Sequence, residues 1–69
     1  MRMISVTSSY MSKIGYDEHT STLEIEFLGG KTFQYKAFPM DKWDGLRVAD
    51  SKGRYFRKEI KGQYDFRYV

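Results

Sequence analysis

The chain has no cysteine. That excludes a disulfide framework, a thiolate nucleophile and a cysteine-based zinc site. It has one histidine, His19, beside Asp17 and Glu18 in a polar stretch. A lone imidazole with no converging partners makes neither a metal site nor a general base, so no metal is expected. No apolar run approaches the roughly 18 residues of a membrane span, and no apolar signal stretch follows Met1. Together with the missing cysteines, this gives the expectation of a cytoplasmic protein. Internal repeats and low-complexity tracts are also lacking. So is any nucleophile with an adjacent base and an orienting third group, or any pair of carboxylates with a reason for perturbed acidity. The expectation is a non-enzymatic binding module without a cofactor.

What is present is an unusual weight of rings in a short chain. The 69 residues include five Phe, six Tyr and one Trp. A chain of this length is read as one domain, residues 1–69, burying roughly 60% of its unfolded surface. Large rings remove much apolar area from water and so help a small core. The charge is unevenly spread. Residues 1–44 carry five Lys and Arg against six Asp and Glu, whereas residues 45–69 carry seven against three. The C-terminal third therefore invites an anionic partner or simply presents a solvated helix face.

Periodicity supplies the elements. The first nine residues are rich in Ser and Thr, and residues 1–7 are expected to fray, or Val6 begins an edge strand. Tyr10, Ser12, Ile14 and Tyr16 alternate as in a strand, and Asp17 can bond turn amides in the polar loop that follows. In Thr22–Leu28, Leu23, Ile25 and Phe27 face one way and Thr22, Glu24 and Glu26 the other. Gly29-Gly30 reads as a hairpin turn. Lys31–Phe38 returns with Phe33, Tyr35 and Ala37 inward, and with Lys36 placed to pair with Glu24 or Glu26. Pro39 ends that strand.

A first helix is expected from about Met40 to Asp50, started by Asp41, with Trp43, Leu46 and Ala49 as its apolar stripe. Gly45 weakens it unless another element approaches closely there. Ser51 caps a second helix of about Lys52–Lys61. The tail from Tyr64 alternates again and adds a short strand or packs as an extended segment. The fold class is α+β: a three-stranded antiparallel meander followed by two short helices on one sheet face.

One surface feature is organised. Arg54, Arg57, Lys58 and Lys61 fall at i, i+3, i+4 and i+7, one face of a helix, while Phe56 and Ile60 mark a different, anchoring face. Such a stripe can contact successive phosphates, with Arg47 and Lys52 as outlying contacts. Tyr55 lies between the apolar and basic faces and is the ring best placed to stack a base. Tyr16, Tyr35, Tyr64, Phe66 and Tyr68 are the other candidate rings, although Tyr35 shares a face with Phe33 and reads as core. The Ser51-Lys52-Gly53 segment lacks the glycine-rich spacing of a nucleotide loop.

Several of these segments also carry a resemblance. Ile14-Gly15-Tyr16-Asp17, Leu23-Glu24-Ile25-Glu26-Phe27, Phe33-Gln34-Tyr35, Phe38-Pro39, Leu46, Ala49, Ser51-Lys52-Gly53-Arg54-Tyr55-Phe56, Ile60 and Tyr64 together resemble the KTSC domain. That small bacterial domain takes its name from the C-terminal region of certain lysyl-tRNA synthetases and also occurs alone. The resemblance runs from about Ser8 to Tyr64, and its specific parts are Gly-Tyr-Asp and Ser-x-Gly-x-Tyr-Phe. The family's Tyr-x-Tyr is Phe33-Gln34-Tyr35 here, and Arg57 stands where the family commonly has asparagine. The family has no established biochemical activity, and RNA binding is the role suggested for it. The expected partner is thus RNA or another polyanion. The alternative is a protein-interaction or dimerisation module, using a sheet edge and exposed aromatics.

Overall fold

The computed structural model describes residues 2–69, so Met1 and its part in the expected N-terminal fraying lie outside the described residues. The sheet has five antiparallel strands in sequence order: β1 (Arg2–Ser5), β2 (Met11–Asp17), β3 (Thr22–Phe27), β4 (Thr32–Tyr35) and β5 (Phe66–Tyr68). Four strands, not three, precede the helices, and the tail does add a strand. Arg2–Ser5 does not fray: it pairs with β2 from Arg2 opposite Tyr16 to Ser5 opposite Lys13. Gly15 permits this pairing. It is buried, and a Cβ there would meet the Met3 sulfur at 2.5 Å and the Arg2 carbonyl oxygen at 2.9 Å.

The frame of β2 also differs from simple alternation. A bulge between Met11 and Lys13 opposes two residues to one on β3. It puts both Met11 and Ile14 into the core and turns Ser12 outward, where its hydroxyl donates to the Glu26 carboxylate at 2.8 Å. The β3–β4 connection is Leu28-Gly29-Gly30-Lys31, with φ of 100° and 94° at the two glycines, values that favour glycine. β4 ends at Tyr35, because Ala37 takes a φ of 53° and is exposed. Lys36 therefore lies beyond the ladder and does not reach Glu24 or Glu26. Instead Gln34 bridges the outer face, donating to Glu24 at 2.8 Å and accepting from the Arg67 guanidinium at 3.2 Å.

The helices are α1 (Met40–Val48) and α2 (Lys52–Glu59). α1 starts from Pro39 with no side-chain cap, so Asp41 sits in its first turn rather than capping it. α2 is capped as its sequence implies, with the Ser51 hydroxyl accepting from the Arg54 amide at 3.3 Å. It stops at Glu59, two residues early, where the Ile60 and Lys61 amides both donate to the Phe56 carbonyl. Both helices lie on one face of the sheet. Met11, Ile14, Leu23, Ile25 and Tyr35 from the strands meet Phe38, Leu46, Phe56 and Ile60 to form the core.

Candidate nucleic-acid interface

Phe56 and Ile60 are buried, which fixes the rotation of α2 and turns Arg54, Arg57 and Lys58 to solvent. Lys61 is also exposed, but it stands on the turn after the helix rather than on the helix itself. None of the four forms an ion pair among the described residues. The only carboxylate of α2, Glu59, is paired with Lys42 of α1. Its hydrogen bond with Lys42 holds the Glu59 carboxyl below, and the Lys42 ammonium above, their ordinary ranges. The outward face of α2 is thus left to cations.

The other predicted residues are tied to local structure. Arg47 pairs with Asp44 at 3.1 Å on an exposed turn of α1. Lys52 donates to the Ala49 carbonyl at 3.0 Å, closing the C-terminus of α1. Tyr55 donates its hydroxyl to the Lys42 carbonyl at 3.2 Å and lays its ring over Gly45. Burial pushes the Tyr55 hydroxyl pKa up. Tyr16 stacks on Trp43 with centroids 5.7 Å apart, and Tyr64 packs edge-on against Phe38 at 4.9 Å. Tyr35 is 3% exposed, whereas Phe66 and Tyr68 are 57% and 66% exposed.

The structure also assembles a surface that the sequence reading did not single out. A concavity of about 450 Å³ opens on the helix side of the sheet. Tyr10, Phe27, Phe33, Tyr35 and Phe56 line it, and Lys31 and Lys61 stand among its lining residues. Its rings contact one another edge-on or tilted: Tyr10 on Phe27 at 5.3 Å, Phe27 on Phe33 at 5.5 Å, and Tyr10 on Phe56 at 5.7 Å. Tyr10 also lines a second, polar concavity of about 260 Å³, shared with Ser8, Ser51, Arg54 and Arg57. Toward the β5 edge, Lys31, Phe33, Phe66 and Tyr68 form a third, shallow apolar depression. The one available signal was Phe33, which sits on the same face as Tyr35 one pleat nearer the hairpin.

No group of His, Asp or Glu among the described residues is arranged to hold a metal ion, and no helix is long and apolar enough to cross a membrane. The family-specific segments serve the framework. Gly15 admits β1, Tyr16 donates its hydroxyl to the Phe38 carbonyl, and the Asp17 carboxylate accepts from the His19 amide at 3.0 Å. Ser51 caps α2, and Gly53 lies against the Tyr10 ring.

Comparison with known proteins agrees with this framework. A protein of Stutzerimonas stutzeri described as uncharacterized is 37% identical over 68 residues, covering 99% of this chain and 94% of that protein. The lysine–tRNA ligase of Nostoc punctiforme is 34% identical over 64 residues, 93% of this chain but 11% of the ligase. The crystal structure of a KTSC domain protein from Yersinia pestis superposes with a TM-score of 0.93 at 38% identity, covering 99% of this chain and 96% of that one. The KTSC domain profile matches residues 7–64, and this chain belongs to the KTSC domain family.

Proposed function

We propose that the chain is a small non-enzymatic module that binds nucleic acid, RNA in the first instance, through the outward face of α2 and the turn that follows it. The observation that carries this reading is the segregation of charge on α2. Its carboxylate is drawn inward to Lys42, while Arg54, Arg57, Lys58 and Lys61 stand exposed and unpaired among the described residues. Exposed cations with no internal partner hold counterions or an anion, and successive phosphates provide anions at a repeating spacing. Arg47 and Lys52 lie at the margin and Tyr55 serves the helix pair, so the four outward cations carry the contact. The similarity to a segment of a tRNA ligase supports the same direction. The cysteine-free composition supports a cytoplasmic setting.

The test is fluorescence anisotropy of a labelled single-stranded RNA against the parent and an Arg54→Glu/Lys58→Glu variant, with circular dichroism to confirm that both fold. Four phosphate contacts to a single strand give a slope of log K against log salt of about −3. The variant is expected to lose measurable binding at moderate salt, and equal binding by the two proteins refutes the reading. A second reading rests on β5, whose Phe66 and Tyr68 are exposed at a free sheet edge, followed by the exposed Val69. In that reading the edge accepts a strand from a protein or a second copy, with affinity nearly independent of salt.

A further inference from the structure

The three concavities on the helix side of the molecule adjoin one another through shared residues. Arg54 and Arg57 line the polar one, and Ser9 and Tyr10 line both it and the aromatic one. Lys31 and Phe33 line both the aromatic one and the shallow depression before Phe66 and Tyr68. Lys61, the exposed cation on the turn after α2, lies at the aromatic concavity itself. Apart from Asp50 at the polar end, the charged positions along this path are cationic and alternate with aromatic ones. The chemistry that matches this alternation is an unpaired nucleotide strand, in which flat apolar bases recur between anionic phosphates. A duplex does not match it, because its bases are already stacked and paired.

We infer that the aromatic concavity seats an unpaired base of a single-stranded nucleic acid, between the rings of Tyr10 and Phe33, with the flanking phosphates on Lys61 and Lys31. This rests on the phosphate-binding reading above and adds the recognition of the base. A volume of about 450 Å³ falls in the range of small-molecule sites. The sides of the concavity already pack edge-on, so the exposed part of a ring such as Tyr10 is available to a base without opening the core. The charge is complementary as well: both titratable groups at its margin are lysines, and the only other ionisable groups lining it are the Tyr10 and Tyr35 hydroxyls.

The experiment compares four labelled eight-nucleotide probes at low salt: oligouridylate, an abasic ribose-phosphate strand of equal charge, oligodeoxythymidylate and an RNA duplex. Each is titrated with the parent, with Phe33→Leu, with Lys31→Glu and with Arg54→Glu/Lys58→Glu. Phe33→Leu keeps an apolar side chain and removes only the ring. The expected result is that oligouridylate binds about tenfold more tightly than the abasic strand, as one stacked base implies, and that Phe33→Leu erases this difference without weakening abasic binding. Lys31→Glu should weaken all single strands. Equal binding of oligodeoxythymidylate also supports the inference and assigns the path to single strands of either sugar. Oligouridylate and abasic strand binding equally, while both still need Arg54 and Lys58, overturns the base site and leaves the phosphate reading standing. Tighter binding of the duplex also overturns it, and no binding by any probe refutes both readings.

Discussion

Gly45 stands in the middle of α1, a position where alanine is worth about 1 kcal/mol more than glycine in helix propensity. By that rule Gly45→Ala stabilises the protein, and the structure reverses the sign. A Cβ at residue 45 would collide with the Tyr55 hydroxyl oxygen and lie 2.8 Å from Cζ and 3.0 Å from Cε2. The Tyr55 ring cannot swing clear cheaply, because it is half-buried and its hydroxyl is bonded to the Lys42 carbonyl. Overpacking of this kind costs about 1–3 kcal/mol, and losing the hydrogen bond costs about 1 kcal/mol more. Set against the propensity gain, the net is a loss of about 1–3 kcal/mol. In a domain of this size each kcal/mol lowers Tm by about 4–8 °C. The assay is urea denaturation followed by the fluorescence of Trp43, which stacks on Tyr16 and reports the helix layer. The control is the same substitution in a Tyr55→Ala background, where nothing remains to clash and Gly45→Ala should stabilise by about 1 kcal/mol. A parent protein made more stable by Gly45→Ala would show that the helices are not held at this distance by the Tyr55–Gly45 contact.

The remaining predictions concern acid and base. Burial raises Tyr35 from the ordinary 10.0 to about 12, with a smaller contribution from Tyr10, so the folded state holds this proton more tightly than the unfolded chain does. Stability from Tyr35 is therefore complete below the ordinary value and is lost as the pH rises toward about 12. An ultraviolet titration should show one of the six tyrosines ionising near 12, absent in Tyr35→Phe, and a uniform transition near 10 would contradict the buried site. At the acid end, Lys42 depresses the Glu59 carboxyl below 4.5, so its stabilisation is present above that value and is lost as the pH falls through the lower folded value. Glu59→Gln should flatten that part of the stability–pH curve, and an unchanged acid limb would show that the ion pair does not bind the helices together.

The interior strands and both helices were legible because each carries its own period. Leu23 and Ile25 alternate, Phe56 and Ile60 recur at helical spacing, and Ser51 and Pro39 mark boundaries. What escaped was set by partners distant in sequence. β1 has only Met3 and Ile4 as apolar residues, with Ile4 largely exposed, and it is a strand because the buried Gly15 lets its backbone approach β2. The bulge at Ser12 places Met11 in the core against the frame that alternation implies. The engagement of Tyr55 with the Lys42 carbonyl depends on how α1 meets α2, which no single segment encodes, whereas Arg47 and Lys52 bond partners only three residues away. The aromatic concavity has the same kind of origin. Two short helices are adequate cover for the three strands that periodicity reveals, but the sheet has five, with Phe66 registered beside Tyr35 and Tyr68 beside Phe33. Adding strands to a fixed helical cover must leave part of the inner face bare. The β4–β5 end stays bare here, with Phe66 and Tyr68 exposed, because Leu46 and Phe56 pack on the core while two further apolar helix residues, Met40 and Val48, face solvent. The rings beside Lys31 and Lys61 come from Tyr10, β3, β4 and α2 and from no residue of β5, so a relative without β5 should keep the concavity, whereas one with a longer α2 should cover it while keeping the cationic helix face.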